Sequence, residues 1–65
     1  MLAAAPDTSV LDAARMMRDR NVGSILVMQG DMLLGIVSER DLAFRLVAEG
    51  LDPADTALSA IMSAE

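Results

Sequence analysis

Apolar residues recur along this chain with two different periods, and each change of period marks an element. From Val10 the positions Val10, Ala13, Ala14 and Met17 return at helical spacing, while Asp12, Arg15, Arg18 and Asp19 take the opposite face. That pattern predicts an amphipathic helix of about three turns, ending near Arg20 and Asn21. Ahead of it, Pro6-Asp7-Thr8-Ser9 is a turn cluster that ends an extended start. Ser9 as N-cap with Asp12 at N3 is an aspartate variant of the capping box, typically worth about 1 kcal/mol. Ser24-Ile25-Leu26-Val27-Met28 is too short for a helix and right for a strand. Its apolar side chains point to both faces, so both faces need cover. Gln29-Gly30-Asp31 then makes a tight turn and Met32 to Val37 returns as a second strand. So short a connection requires the two strands to be antiparallel.

A second helix starts with Ser38 as its cap. Leu42, Leu46 and Val47, with Ala43 or Phe44, form its apolar stripe, Arg40, Arg45 and Glu49 face outward, and Gly50 is placed to end it. Leu51 to Thr56 is a polar connection, and Ala57 to Met62 is apolar again. Residues 1–50 therefore read as one structural repeat and residues 51–65 as a linker and lead-in to a following unit. A short packed terminal turn is the alternative reading of the tail.

Length and composition sharpen this picture. A chain of 65 residues holds one domain at most, and 54% of its residues are apolar. A chain this small buries only roughly 60% of the surface its unfolded form exposes. The apolar surplus is read as a face covered by a partner, since large exposed patches mark interfaces, with a rich core as the alternative. The net charge of −5, with five arginines and no lysine, excludes the basic stripe that a nucleic-acid footprint needs. Free nucleotides need only one or two well-placed cations. No cysteine and no histidine is present, which removes disulfides, thiolate metal sites, the commonest general base and the triads built on it. The start lacks a basic n-region and a long apolar stretch, and Met32 to Val37 is far short of the roughly 18 residues of a membrane helix. The chain is thus expected to be soluble, cytoplasmic and free of membrane contacts.

Four phrases in order carry a family resemblance. They are Pro6-Asp7-Thr8-Ser9-Val10, Asn21-Val22-Gly23-Ser24-Ile25-Leu26-Val27, Leu34 to Leu42, and Leu58-Ser59-Ala60-Ile61-Met62-Ser63. With the element order around them they resemble one repeat of the cystathionine-β-synthase (CBS) domain family followed by the opening of a second. The resemblance implies an α+β fold, a β-α-β-β-α repeat with a small sheet and two helices, paired with a second repeat or a second copy. Leu2-Ala3-Ala4-Ala5 departs from the β-branched or larger apolar strand that the family carries there.

The family holds adenosine ligands with Gly, an apolar residue, any residue, Thr or Ser, two more residues, then Asp or Asn. Gly35-Ile36-Val37-Ser38-Glu39-Arg40-Asp41 fits every position. The chemistry is readable from the residues. Gly35 has no Cβ and lets a group approach the strand backbone. Ser38 stands at a helix start, where free N–H groups favour a phosphate. Arg40 adds a charge-assisted contact, and the Asp41 carboxylate accepts ribose hydroxyls. Ser38 and Asp41 are equally the Ser-x-x-Asp of an ordinary capped helix, as Ser9 and Asp12 are, and Gly35 is what a cap does not require. The resemblance adds Ala3, Ala4, Val22 and Ser24 as walls of an adenine slot.

Catalysis has no support in the residues. The serines lack a histidine to activate them. Asp52, Asp55, Glu39 and Asp41 lack a calcium-loop pattern and read as solvated surface rather than a metal site. The methionines Met16, Met17 and Met28 read as core fillers. The resemblance implies a non-catalytic regulatory module that requires no cofactor and takes AMP, ADP or ATP as regulatory ligand. A dimerisation or scaffold element that has lost the ligand is the alternative.

Overall fold

The computed structural model describes residues 1–64; Glu65, the last residue of the expected lead-in, lies outside them. Its sheet is centred on the hairpin predicted around Gly30. Strands β2 (Ser24–Gln29) and β3 (Met32–Ser38) are antiparallel, joined by Gly30-Asp31 with Gly30 at φ +60°. A residue without Cβ adopts that angle at no steric cost. The pairing runs from Ser24 with Ser38 to Gln29 with Met32, and its register slips between Val27 and Met28 so that Leu34 bulges out of β3. The weak extended start becomes a two-residue strand, β1 (Ala3–Ala4), parallel to β2 with Ala3 opposite Leu26 and Ala4 opposite Val27. Parallel neighbours need a crossover, and α1 (Val10–Arg20) supplies it.

Helix α1 begins and ends where its sequence predicts, but only the Ser9 half of the expected Ser9–Asp12 capping box is made. The Ser9 hydroxyl accepts from the Asp12 N–H at 3.1 Å, and Asn21 closes the helix in the left-handed region at φ 53°. The Asp12 carboxylate turns to Arg15 at 4.0 Å on the open surface. The buried Val10, Ala13 and Met17 of α1 join Ile25, Val27 and Val37 of the sheet in one core. On β2 and β3, Leu26, Met28 and Ile36 alternate with these inward residues and remain only half-buried.

The second helix departs from the expected single α-helix. Its first turn, α2 (Glu39–Asp41), passes into a wider π-helical stretch over Leu42–Val47. There the Ala48 N–H reaches back five residues to the Ala43 carbonyl at 3.0 Å. Within the expected apolar stripe Leu46 is buried, but Val47 is 72% exposed and Phe44 57%. Contacts with β3 and α3 seat this helix against the core, and Val47 and Phe44 lie outside that seat.

The tail is part of the same core. Leu58 and Ile61 of α3 (Leu58–Ile61) are among the most deeply buried side chains of the chain. Backbone bonds strap the segment at both ends: Leu58 donates to Thr8 at 2.9 Å, Val10 to Thr56 at 2.8 Å, and Ile36 and Ser63 exchange two bonds of 2.9 Å. Ser63 thereby extends the sheet beyond β3, and the core does not stop at Gly50. The whole is an α+β unit with sheet order β1-β2-β3 in the expected β-α-β-β-α sequence, with α3 folded back onto it.

Candidate functional site

Hairpin register brings the loop before β2 against the start of α2. Ser24 lies opposite Ser38, and the Glu39 N–H donates to the Gly23 carbonyl at 3.0 Å. Val22, 42% exposed, borders this junction in the sequence. At the junction Ser38 and Asp41 form a complete capping box. The Ser38 N–H donates to Asp41 Oδ2 at 2.9 Å, the Ser38 hydroxyl donates to the same oxygen at 3.1 Å, and it accepts from the Asp41 N–H at 3.3 Å.

The other carboxylate oxygen faces the tail. Asp41 Oδ1 accepts from the Ser63 hydroxyl at 3.1 Å and lies 3.6 Å from Arg45 Nε. Arg45 Nη1 also donates to the Met62 carbonyl at 3.1 Å. Asp41 is only 7% exposed and is the one buried charged residue among those described. Burial opposes its charge, but the Ser38 N–H, the Ser38 and Ser63 hydroxyls and the Arg45 guanidinium outweigh that effect and hold its carboxyl below the ordinary value.

Gly35 is explained by what lies over it. A Cβ there would stand 2.8 Å from the Ser63 carbonyl oxygen and 3.0 Å from Met62 Sδ. The close backbone approach that the glycine permits is made by the chain's own tail. Arg40 stacks on Phe44, its guanidinium carbon 4.8 Å from the ring centroid. Ala4 lies in another row of the sheet, with Val27 and Gly35. The structure therefore gathers Ser24, Ser38 and Asp41 with the Val22 loop at one end of the hairpin, places Gly35 and Ala4 in a separate row, and stacks Arg40 on its own helix.

Ser63 and Arg45 are the residues of this site that sequence reasoning missed. Arg45 faces outward as expected, its side chain 54% exposed, but its guanidinium also reaches Asp41 one turn back, a contact that the i, i+4 spacing made readable. Ser63 lies 22 positions from Asp41, and no local spacing rule connects them.

Beside this network, an apolar cavity of about 230 Å³ is lined by Leu26, Leu33, Leu34, Gly35, Ile36 and Ser63. A second hollow of about 150 Å³ lies between the start of α1 and residues 54–57, with Asp7 and Asp55 on its rim. Among the described residues no three His, Cys, Asp or Glu side chains are grouped to hold a metal ion. Among the same described residues no helix is long and apolar enough to cross a membrane.

Comparison with known proteins agrees with this architecture. The CBS domain family model matches residues 1–48. CBS domain-containing protein YhcV of Bacillus subtilis is 38% identical over 60 residues, which cover 92% of this chain and 42% of YhcV. CBS domain-containing protein CBSCBSPB2 of Arabidopsis thaliana is 44% identical over 57 residues, 86% of this chain and 11% of that protein. The chain thus spans less than half the length of either relative. A crystal structure of a cystathionine β-synthase domain protein fused to a Zn-ribbon-like domain superposes with a TM-score of 0.95 at 33% identity, covering 98% of this chain and 91% of that one. A protein with CBS domains from Burkholderia ambifaria MC40-6 gives a TM-score of 0.95 at 32% identity, covering 100% of this chain and 48% of its own. With the family model spanning residues 1–48 and the fold matched end to end, this chain belongs to the CBS domain family.

Proposed function

We propose that the chain is a non-catalytic regulatory module that binds an adenine nucleotide or another adenosine derivative when paired with a second CBS repeat or a second copy of itself. The observation that carries this reading is the charged Asp41 carboxylate, anchored on the Ser38 cap beside the loop that leads into Ser24. A carboxylate held by two local donors is a preorganised acceptor for a ribose diol, because fixed groups lose little freedom on binding. The adjoining Val22 and Ser24 offer a wall for the adenine ring, and the half-buried Leu26, Met28 and Ile36 offer the sheet face on which a second repeat packs. Calorimetric titration with AMP, ADP and ATP tests the reading. It predicts saturable binding by the wild-type chain that weakens at least tenfold in Asp41→Asn, and no heat at millimolar nucleotide contradicts it.

A second reading rests on a specific observation. Asp41 completes the Ser38 cap and accepts from Ser63, and a Cβ at Gly35 would meet Met62 and Ser63. A dimerisation or scaffold element would carry the same contacts for stability alone. In that case Asp41→Asn alters only the melting temperature, and no adenosine compound shifts it.

A further inference from the structure

Asp41 is the carboxylate that a ribose diol requires, and the chain already occupies it. An ionised carboxylate has about four lone-pair sites. The Ser38 N–H, the Ser38 hydroxyl and the Ser63 hydroxyl take three, and Arg45 lies against the same oxygen as Ser63. Two hydroxyl donors need two sites, so one present partner must leave. The Ser38 contacts form the cap of α2, and losing them uncaps the helix. Ser63 can leave without that penalty. It is held from a distance, by its pairing with Ile36 and by the bond from Arg45 to the Met62 carbonyl. Gly35 makes the arrangement possible, since any Cβ would push Ser63 off β3.

We infer that the Met62–Ser63 segment is an internal competitor for Asp41, so that an adenosine ligand and the docked tail exclude each other at this carboxylate. The inference rests on the ligand reading above and adds to it what ligand occupancy moves. Linkage makes the effect reciprocal: whatever loosens the tail tightens the ligand, and ligand binding loosens the tail by the same factor. The tail is then the element through which occupancy is felt elsewhere.

The test uses the full 65-residue chain, AMP as the probe, and the variants Ser63→Ala and Ser63→Thr. Removing one competing hydrogen bond tightens AMP binding by about fivefold in Ser63→Ala. Ser63→Thr keeps the hydroxyl and binds as the wild type does. Saturating AMP accelerates hydrogen exchange at the Ser63 amide by a similar factor, while the Leu58 amide, bonded to Thr8, keeps its rate. Equal or weaker AMP binding by Ser63→Ala, with Ser63 exchange unmoved, overturns the inference and leaves the ligand reading standing. Absence of AMP binding by all three chains overturns the inference for this nucleotide, and absence of ADP and ATP binding as well overturns the ligand reading with it.

Discussion

The Ser63 hydroxyl donates to Asp41 Oδ1 at 3.1 Å across 22 residues of sequence, and this contact joins the cap of α2 to the tail. Through it, one carboxylate ties together the hairpin end, the second helix and the strand-like extension at Ser63. Its removal is therefore felt in three places.

Acid stability follows from the same carboxylate. Burial raises the Asp41 pKa, but its hydrogen bonds and Arg45 outweigh burial and hold it below the ordinary value of an aspartate. A folded-state value below the unfolded one stabilises the fold fully above the unfolded value, and the contribution disappears as pH falls through the folded value. Urea midpoints measured from neutral pH downward are expected to fall less steeply in Asp41→Asn than in the wild type. Identical slopes contradict the assignment.

Glycine substitutions separate packing from conformation. Gly35→Ala drives a Cβ to 2.8 Å from a backbone oxygen of Ser63, whereas Gly23→Ala meets the movable Glu39 carboxylate at 2.7 Å. Overpacking against backbone costs about 1–3 kcal/mol. Gly35→Ala is expected to lower the urea midpoint by that order and Gly23→Ala by much less, and equal effects argue against the docked tail.

Burial of α3 makes a sharp contrast with the second helix. Ile61 is 1% exposed and Val47 72%. Truncating a buried isoleucine to alanine costs about 2–5 kcal/mol, while surface changes stay within about 0.5 kcal/mol. Ile61→Ala should thus destabilise the chain severely and Val47→Ala hardly at all, as read by denaturant unfolding. A mild Ile61→Ala contradicts a core that extends past Gly50.

Local chemistry explains what was legible in the sequence. The Ser9 and Ser38 caps, the Gly30 turn and the alternation along β2 each act over a few residues, and each stands where its pattern places it. The α+β order followed from them, and the resemblance in the four phrases named the family. Long-range pairing was not legible. Nothing local shows that Ser63 extends the sheet or that Met62 and Ser63 lie over Gly35. The widening of the second helix after Asp41 was hidden as well, because Leu42 to Val47 has the composition of an ordinary α-helix.

Self-association is expected from the outer sheet face. Leu26, Met28 and Ile36 are half-buried there, and Leu26 and Ile36 also line the 230 Å³ cavity. Leu26→Asp places a charge on this face without touching the strand backbone, and a charge buried at an interface is strongly unfavourable. Sedimentation should show the wild type associated at micromolar concentration and Leu26→Asp monomeric. A wild-type monomer at that concentration contradicts pairing through this face.

The central claim, that Asp41 serves an adenosine ligand, is tested most directly by thermal melting with AMP, ADP and ATP. A ligand at about 100 times its dissociation constant adds about 2.7 kcal/mol. For so small a domain that corresponds to a rise on the order of 10 °C. The account predicts such a rise for the wild type with at least one nucleotide, and its loss in Asp41→Asn. An unchanged melting temperature with all three at millimolar concentration would contradict it.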